Sequence, residues 1–340
     1  MTFKTKRTLK KLVSWSGLFF FAVAVYMIYK QLGQYKMIDI WEAFTSIPTS
    51  NIMLSAICCI IGYVVLAGYD YLALTYIGKK LVWWKWLMAG FIGFSVSNNA
   101  GHAIVSGGAI RYRLYTRWRF QASDIVKMVT FSGMTYLMGC LALIIIGYAL
   151  VPNSLFVNNP GSKLTTEIVA AVSVVALVIY FWASAYYKKP LKVNSDVEFV
   201  TPSWKMALAQ TSIGIADTVF AALVLYFALI SFIDVDFKIY IGIFLIAQVL
   251  GVYSQVPGGL GVFEGLFLYM LPGNHIVTDI MGALIAYRVI YYFCPLVIAG
   301  VMLVAYERGR AAAIKFRMNL NKKAAAAAEK LKYIHKNKQS

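Results

Sequence analysis

Mostly apolar stretches recur along the chain at about 12–30, 52–77, 86–105, 128–151, 166–187, 206–230, 239–256 and 276–305. A spanning helix needs roughly 20 such residues, so each run predicts a helix embedded in a bilayer. A shorter apolar piece at about 260–271 follows the seventh run directly. Two runs are interrupted by polar or helix-breaking residues. The third carries Ser97, Asn98, Asn99 and Gly101 where a crossing helix would reach mid-membrane. The seventh ends in Val256-Pro257-Gly258-Gly259, and proline with paired glycine stops a helix for steric and entropic reasons. Non-helical backbone at membrane depth is tolerated only where protein or a water-filled cavity surrounds it.

The polar connections set orientation. Lys and Arg concentrate in five of them: Lys4–Lys11, Lys79–Lys85, Arg111–Lys127, Lys188–Lys205 and Arg308–Lys338. Basic loops stay cytoplasmic, and two of these segments flank the third run, so both of its ends belong on one side. That run must enter and return without crossing. The piece 260–271 is read as the return arm of a second hairpin that opens outward. The first run ends in Tyr29, Lys30 and Gln31 and not at a small-residue cleavage site, so it is read as an uncleaved anchor. The expected fold is all-α and polytopic, an integral membrane protein with about six full spans plus two re-entrant hairpins and both termini cytoplasmic. Its expected parts are a basic N-terminus (1–11), a membrane domain (12–305, halves about 52–187 and 204–305) and a basic helical tail (306–340).

Composition agrees with this. Of 340 residues, 60% are hydrophobic and only 14% charged, which excludes a soluble enzyme, a disordered chain and a cytosolic nucleic-acid binder. The net charge of +18 would otherwise suggest nucleic acid, but the bases gather on one membrane side. Cys58, Cys59, Cys140 and Cys294 all fall in apolar runs without metal-ligand spacing, and His102 and His275 complete no site with them. No metal, cofactor or catalytic cluster is expected.

Two landmarks repeat. Asp70 precedes the first hairpin and Asp217 the second; Gly107-Gly108 and Gly258-Gly259 mark the hairpins themselves. On the derived topology the two halves run in opposite senses, the pattern of an inverted-topology repeat, whose interface commonly holds a transporter's substrate site. The plainer alternative is two unrelated breaks that only kink their helices.

Four ionisable residues lie within the apolar runs: Asp70, Asp217, Glu264 and Arg288. Each costs about 2.5–3.5 kcal/mol at the centre of an inserting helix, so such residues face a partner or a cavity. Asp217 shares a face with Gln210, Gly214 and Ala221, which packs on protein or lines water. A structural reading pairs Arg288 with Glu264 or Asp217 as a lock; a functional one leaves surplus carboxylates to take a proton or a cationic headgroup. The stretch Ser106-Gly107-Gly108-Ala109-Ile110-Arg111 suits a phosphate, because glycines admit close backbone approach and the Arg111 guanidinium is a bidentate donor. Arg117 and Arg119 are read as anchors at the anionic leaflet.

The Asp70 span, SGGAIRYRLY, PSWKMALAQ, VPGGLGVFEG and AYRVIYYF together resemble the bacterial lysylphosphatidylglycerol synthase/flippase superfamily, over about residues 10–305. The likeness is to the flippase half of the multiple peptide resistance factor. It implies translocation of aminoacylated phosphatidylglycerol between leaflets of the bacterial inner membrane, and carries over to Asp70, Arg111, Glu264 and Arg288. The large C-terminal aminoacyl-transferase domain of bifunctional members has no counterpart here, so no synthase activity is implied. The expected function is a phospholipid flippase, its substrate-binding residues being Arg111, Gly107, Gly108, Asp70, Glu264, Arg288 and Asp217. Asn98, Asn99, Pro257, Gly258 and Gly259 are expected to break the hairpins. The alternative is a non-transporting scaffold that recruits phospholipid-synthesis enzymes. Expected partners are the phospholipid substrate and membrane lipids, with a homodimer as candidate assembly and no nucleic acid.

Overall fold

A computed structural model describes residues 45–100, 103–150, 160–187, 190–194, 197–253, 257–271 and 277–337, with Ile38 and Glu42 ahead of them. The first apolar run, Gly101, His102, Val256 and His275 lie outside the described residues. The described chain is almost wholly helical: α1 (Thr49–Tyr76), α2 (Trp83–Ala100), α3 (Ala103–Arg117), α4 (Ala122–Leu150), α5 (Pro160–Tyr186), α6 (Trp204–Leu229), α7 (Phe237–Tyr253), α8 (Val262–Met270), α9 (Val277–Tyr287) and α10 (Cys294–Asn337). A 3₁₀ turn (Pro257–Gly259) precedes α8, and a π-helical segment (Arg288–Phe293) joins α9 to α10. Five helical stretches are long and apolar enough to cross a membrane: Thr49–Tyr76, Ala122–Leu150, Thr166–Tyr186, Trp204–Leu229 and Asp279–Ala313. The protein is an all-α polytopic membrane protein. The sequence offered no sign of the small antiparallel hairpin of β1 (Leu191–Asn194) and β2 (Val197–Phe199).

Two units are resolved, one through Leu296 and one from Val297. The second is the basic continuation of α10, helical to Asn337.

The axis of the first unit is the pair α1 and α6. Asn51 donates to Ser231, Ser55 Oγ to the Val224 carbonyl at 2.9 Å, and Tyr69 to Asp217. Rising numbers on α1 meet falling numbers on α6, so the two run antiparallel. Helix α4 closes on α6 at Gly139 and Gly214, where a Cβ added to Gly139 would sit 2.6 Å from Gly214 backbone atoms. Such backbone contact is how small residues bring membrane helices together.

Helices α2 and α3 fold back on each other: a Cβ at Gly107 would meet Ser97 Oγ and the Gly93 carbonyl, and one at Gly93 would meet Arg111. Both ends of this hairpin lie at one end of the bundle. Lys79 pairs with Asp124 at 2.5 Å, and Lys85 lies 5.7 Å from the Trp118 ring centroid. The α7–α8 hairpin is built likewise, with Tyr240 against Phe267 and Phe244 against Phe263. It opens beside the C-terminal end of α6, where Tyr226 stacks edge-on with Phe237 at 5.0 Å. Because α1 and α6 are antiparallel, the two hairpins enter from opposite ends. In each half a long helix is followed by a hairpin and a further long helix, the second half reversed.

The breaks differ in detail from the expectation. Asn98 and Asn99 do not break α2, which is helical through Ala100; the Asn99 amide is satisfied in place by the Ser95 carbonyl at 2.7 Å. Helix α2 ends at Ala100 and α3 begins at Ala103. Gly107 and Gly108 mark no turn either, since both lie inside α3. Gly258 and Gly259 do form the second break, at φ 61° and 64°, a left-handed conformation open to glycine at no steric cost.

Candidate functional site

The first hairpin delivers a base to α1. Asp70 and Arg111 are both buried, and Arg111 Nε donates to Asp70 Oδ1 at 2.8 Å. Nη2 lies 2.7 Å from the same oxygen, without hydrogen-bond alignment. The other carboxylate oxygen, Oδ2, accepts from the Tyr115 hydroxyl at 2.8 Å. Tyr115 follows Arg111 by four residues, one helical turn, so both reach the same carboxylate from one face of α3. The guanidinium is stacked on Phe94, 4.4 Å from the ring centroid. It is seated over Gly93 and Gly107, where a Cβ would come 3.1 Å from Nη1. Those glycines make room for an arginine, whose Nε holds Asp70 while Nη2 is buried without an aligned acceptor.

The second hairpin repeats the arrangement with base and acid exchanged between elements. Arg288 Nε donates to Glu264 Oε1 at 2.7 Å, and Nη1 to the Gly258 carbonyl at 2.5 Å. Glu264 Oε2 accepts the Gly261 N–H at 2.7 Å, so the carboxylate both caps α8 and holds Arg288. The guanidinium lies over Tyr292, 4.6 Å from the ring centroid. Arg288 thus pairs with Glu264 and not with Asp217. With Arg111 also buried, the balance of three acids to one base is corrected to three acids and two bases.

The π segment has a local cause. Pro295 has no N–H to give Tyr291, four residues back, and the turn widens. The freed carbonyls take side-chain donors: Cys59 to Ile290 at 3.2 Å, Tyr63 to Tyr291 at 3.0 Å, and Asn99 to Tyr292 at 3.1 Å. Asn99 therefore ties the tip of the first hairpin to the segment carrying Arg288. The hairpin tips themselves meet, since a Cβ at Gly258 would lie 3.6 Å from the Asn98 carbonyl oxygen. Two ion pairs thus flank a junction of two helical hairpins inside an apolar bundle.

Asp217 stands apart. It is buried on the α6 face that carries Gln210 and Gly214. Its oxygens accept from Tyr69 and, at 2.9 Å, from Thr218. Gln210 is held by Thr135 at 2.9 Å and by Tyr180, so of the two readings the pattern left open, protein or water, this face packs on protein. The structure brings Asp70 to Arg111 and Glu264 to Arg288, and leaves Asp217 to neutral donors. Sequence reasoning missed Tyr115, Tyr69, Phe94 and Tyr292. Of these only Tyr115 carried a signal, its spacing from Arg111. Among the described residues no group of three or more metal-ligating side chains is assembled.

A family model described as the lysylphosphatidylglycerol synthase TM region matches residues 14–300. The chain is 33% identical over 295 residues to the uncharacterized protein slr0712 of Synechocystis sp., covering 86% of this chain and 90% of that one. It is 30% identical over 299 residues to the inner membrane protein YbhN of Escherichia coli, with 86% and 91% covered. It is 25% identical over 300 residues to a phosphatidylglycerol lysyltransferase of Staphylococcus aureus, covering 87% of this chain and 34% of that protein. With the match spanning both hairpins and both ion pairs, the chain belongs to the lysylphosphatidylglycerol synthase transmembrane-region family.

Proposed function

We propose that the protein is a phospholipid flippase of the bacterial inner membrane, moving an anionic or aminoacylated phospholipid between leaflets. The observation that carries this is the pair of buried arginine–carboxylate contacts, Arg111–Asp70 and Arg288–Glu264, each on a hairpin whose tip touches the other. A buried ion pair is a poor source of stability, because desolvation offsets most of its attraction, yet two are held here. Each guanidinium can exchange its carboxylate for a lipid phosphate, which has the same fork-matching geometry. Exchange at one pair, then the other, would pass a headgroup across the junction as the halves rock. Gly258 and Gly259, at the break of the second hairpin, let the backbone stay close to that path. The sequence has no GxxxxGK[ST] phosphate loop, so the drive is an ion gradient or the lipid gradient itself.

Purified protein in liposomes should transfer fluorescent phosphatidylglycerol between leaflets. Asp70→Asn and Glu264→Gln should each slow the transfer at least about tenfold, the equivalent of one charge-assisted hydrogen bond. Absence of transfer by correctly folded wild type would sink the flippase reading. Loss of function on removing residues 310–340 would favour the scaffold, for which the basic helix running to Asn337 is the natural handle.

The basic end of the bundle that carries Lys79, Lys85 and Arg117 supports a cytoplasmic side for both termini, because basic connections stay inside. Single cysteines at positions 79 and 119 should both be labelled by an impermeant maleimide only from the cytoplasmic side. Labelling from opposite sides would mean that α2 and α3 together cross the membrane.

A further inference from the structure

The three buried carboxylates are not equivalent. Asp70 and Glu264 each hold an arginine. Asp217 is equally buried, yet among the described residues it makes no ion pair, and its hydrogen-bond donors are the hydroxyls of Tyr69 and Thr218. The titratable groups within its electrostatic reach come from each element around it: Tyr69 from α1, Tyr136 and Cys140 from α4, and Tyr291 from the π segment. None is a cation. Farther along the helices packed on α6, Tyr180 of α5 is taken up by Gln210, and Tyr287 of α9 lies against Tyr291. The two arginines nearest in the fold are committed elsewhere. An anion here would be held by two hydroxyls alone, inside an apolar bundle where an isolated charge is strongly disfavoured.

We propose that Asp217 is a proton-binding site of this protein, taking up and releasing one proton as the two halves move against each other. The proton is the one cationic ligand that this site accepts without being opened, because Asp217 is 4% exposed and its carboxylate is covered by Tyr69 and Thr218. The step is simple: the carboxylate takes a proton on Oδ2, which then donates, while Oδ1 goes on accepting from Thr218. The Tyr69 hydroxyl, which donates to Oδ2 in the ionised form, must then turn to accept. That reversal falls on the antiparallel contact between α1 and α6, the equivalent helices of the two halves. A second observation points the same way. The Tyr136 hydroxyl is buried beside Cys140 without a well-aligned hydrogen bond, and it interacts electrostatically with the same carboxylate. A proton on Asp217 removes the charge that this hydroxyl faces. On α1, Tyr69 is followed directly by Asp70, so a turn of that helix reaches the Arg111 pair as well.

As the coupling element of transport, this site rests on the flippase reading; as a proton site it does not. Infrared difference spectroscopy of the purified full-length protein, cycled between neutral and acidic pH, tests it without any lipid movement. Wild type should show a protonated carboxylic-acid carbonyl band that is lost in Asp217→Asn. Tyr69→Phe should keep that band and shift its frequency, because the partner of the acid changes. A band unaltered by Asp217→Asn, or no carboxylic-acid band in wild type and Tyr69→Phe, overturns the site even if lipid transfer is seen. A band that obeys both variants in a protein that transfers no lipid upholds the proton site and overturns the flippase reading alone.

Discussion

Replacing Arg111 with alanine should destabilise the folded protein by about 3–5 kcal/mol, the cost of leaving a buried charge without its partner. Asp70 would keep only the Tyr115 hydroxyl as a side-chain partner. The loss of stacking on Phe94 adds about 0.5–2 kcal/mol, and the vacated space over Gly93 and Gly107 loosens the α2–α3 hairpin. The measurement is thermal unfolding in detergent, followed by circular dichroism. The double variant Asp70→Asn with Arg111→Met should recover most of the loss, because neither buried charge then remains. Stability of Arg111→Ala equal to wild type would mean that Asp70 does not depend on this partner. If the double variant folds well and no longer moves lipid, the pair is retained for function at the expense of stability.

A similarly large effect is expected at the crossing of α4 and α6. Gly139→Val should cost about 3 kcal/mol or more, at or beyond the upper end for overpacking. The atoms in the way are the Gly214 backbone, 2.6 Å from where the new Cβ would be placed, and backbone cannot swing aside as a side chain can. The helices must separate, and with them go the Gln210–Thr135 hydrogen bond and the α6 face that carries Asp217. Gly265→Ala is the control. It lies on α8 with nothing within 4 Å of an added Cβ, and alanine is the better helix former by roughly 0.5–1 kcal/mol. Detergent stability should therefore drop sharply for Gly139→Val and hold or rise for Gly265→Ala. Equal behaviour of the two would mean that the close crossing is not needed for the fold.

What the sequence by itself determined is whatever depends on transfer between water and lipid. Runs of about 20 apolar residues can rest only in a bilayer, and bases in the connections bias the side on which they stay. The same logic singled out Asp70, Asp217, Glu264 and Arg288, because a charge in an apolar run is costly wherever it is placed. Pro257-Gly258-Gly259 was legible because its effect on the backbone is local. Asn98, Asn99, Gly107 and Gly108 misled for the complementary reason. Polarity and small size permit a break without imposing one, and here Asn99 serves a hydrogen bond across the hairpin tips and Gly107 the seat of Arg111.

Only the tertiary structure decided which charge meets which. Arg111 opens a segment of basic residues and the chain alone offers it to a phosphate, yet the α2–α3 hairpin folds it back onto Asp70, 41 residues away. Glu264 is chosen over Asp217 as the partner of Arg288 because Gly261 and Gly258 bring the α8 N-terminus to it, a geometry set by two positive φ angles and a π turn. The solitude of Asp217 is likewise a property of the assembled bundle. Hydropathy sums over neighbours in sequence, whereas an ion pair depends on distances of a few ångströms between elements that the chain brings together only when it folds.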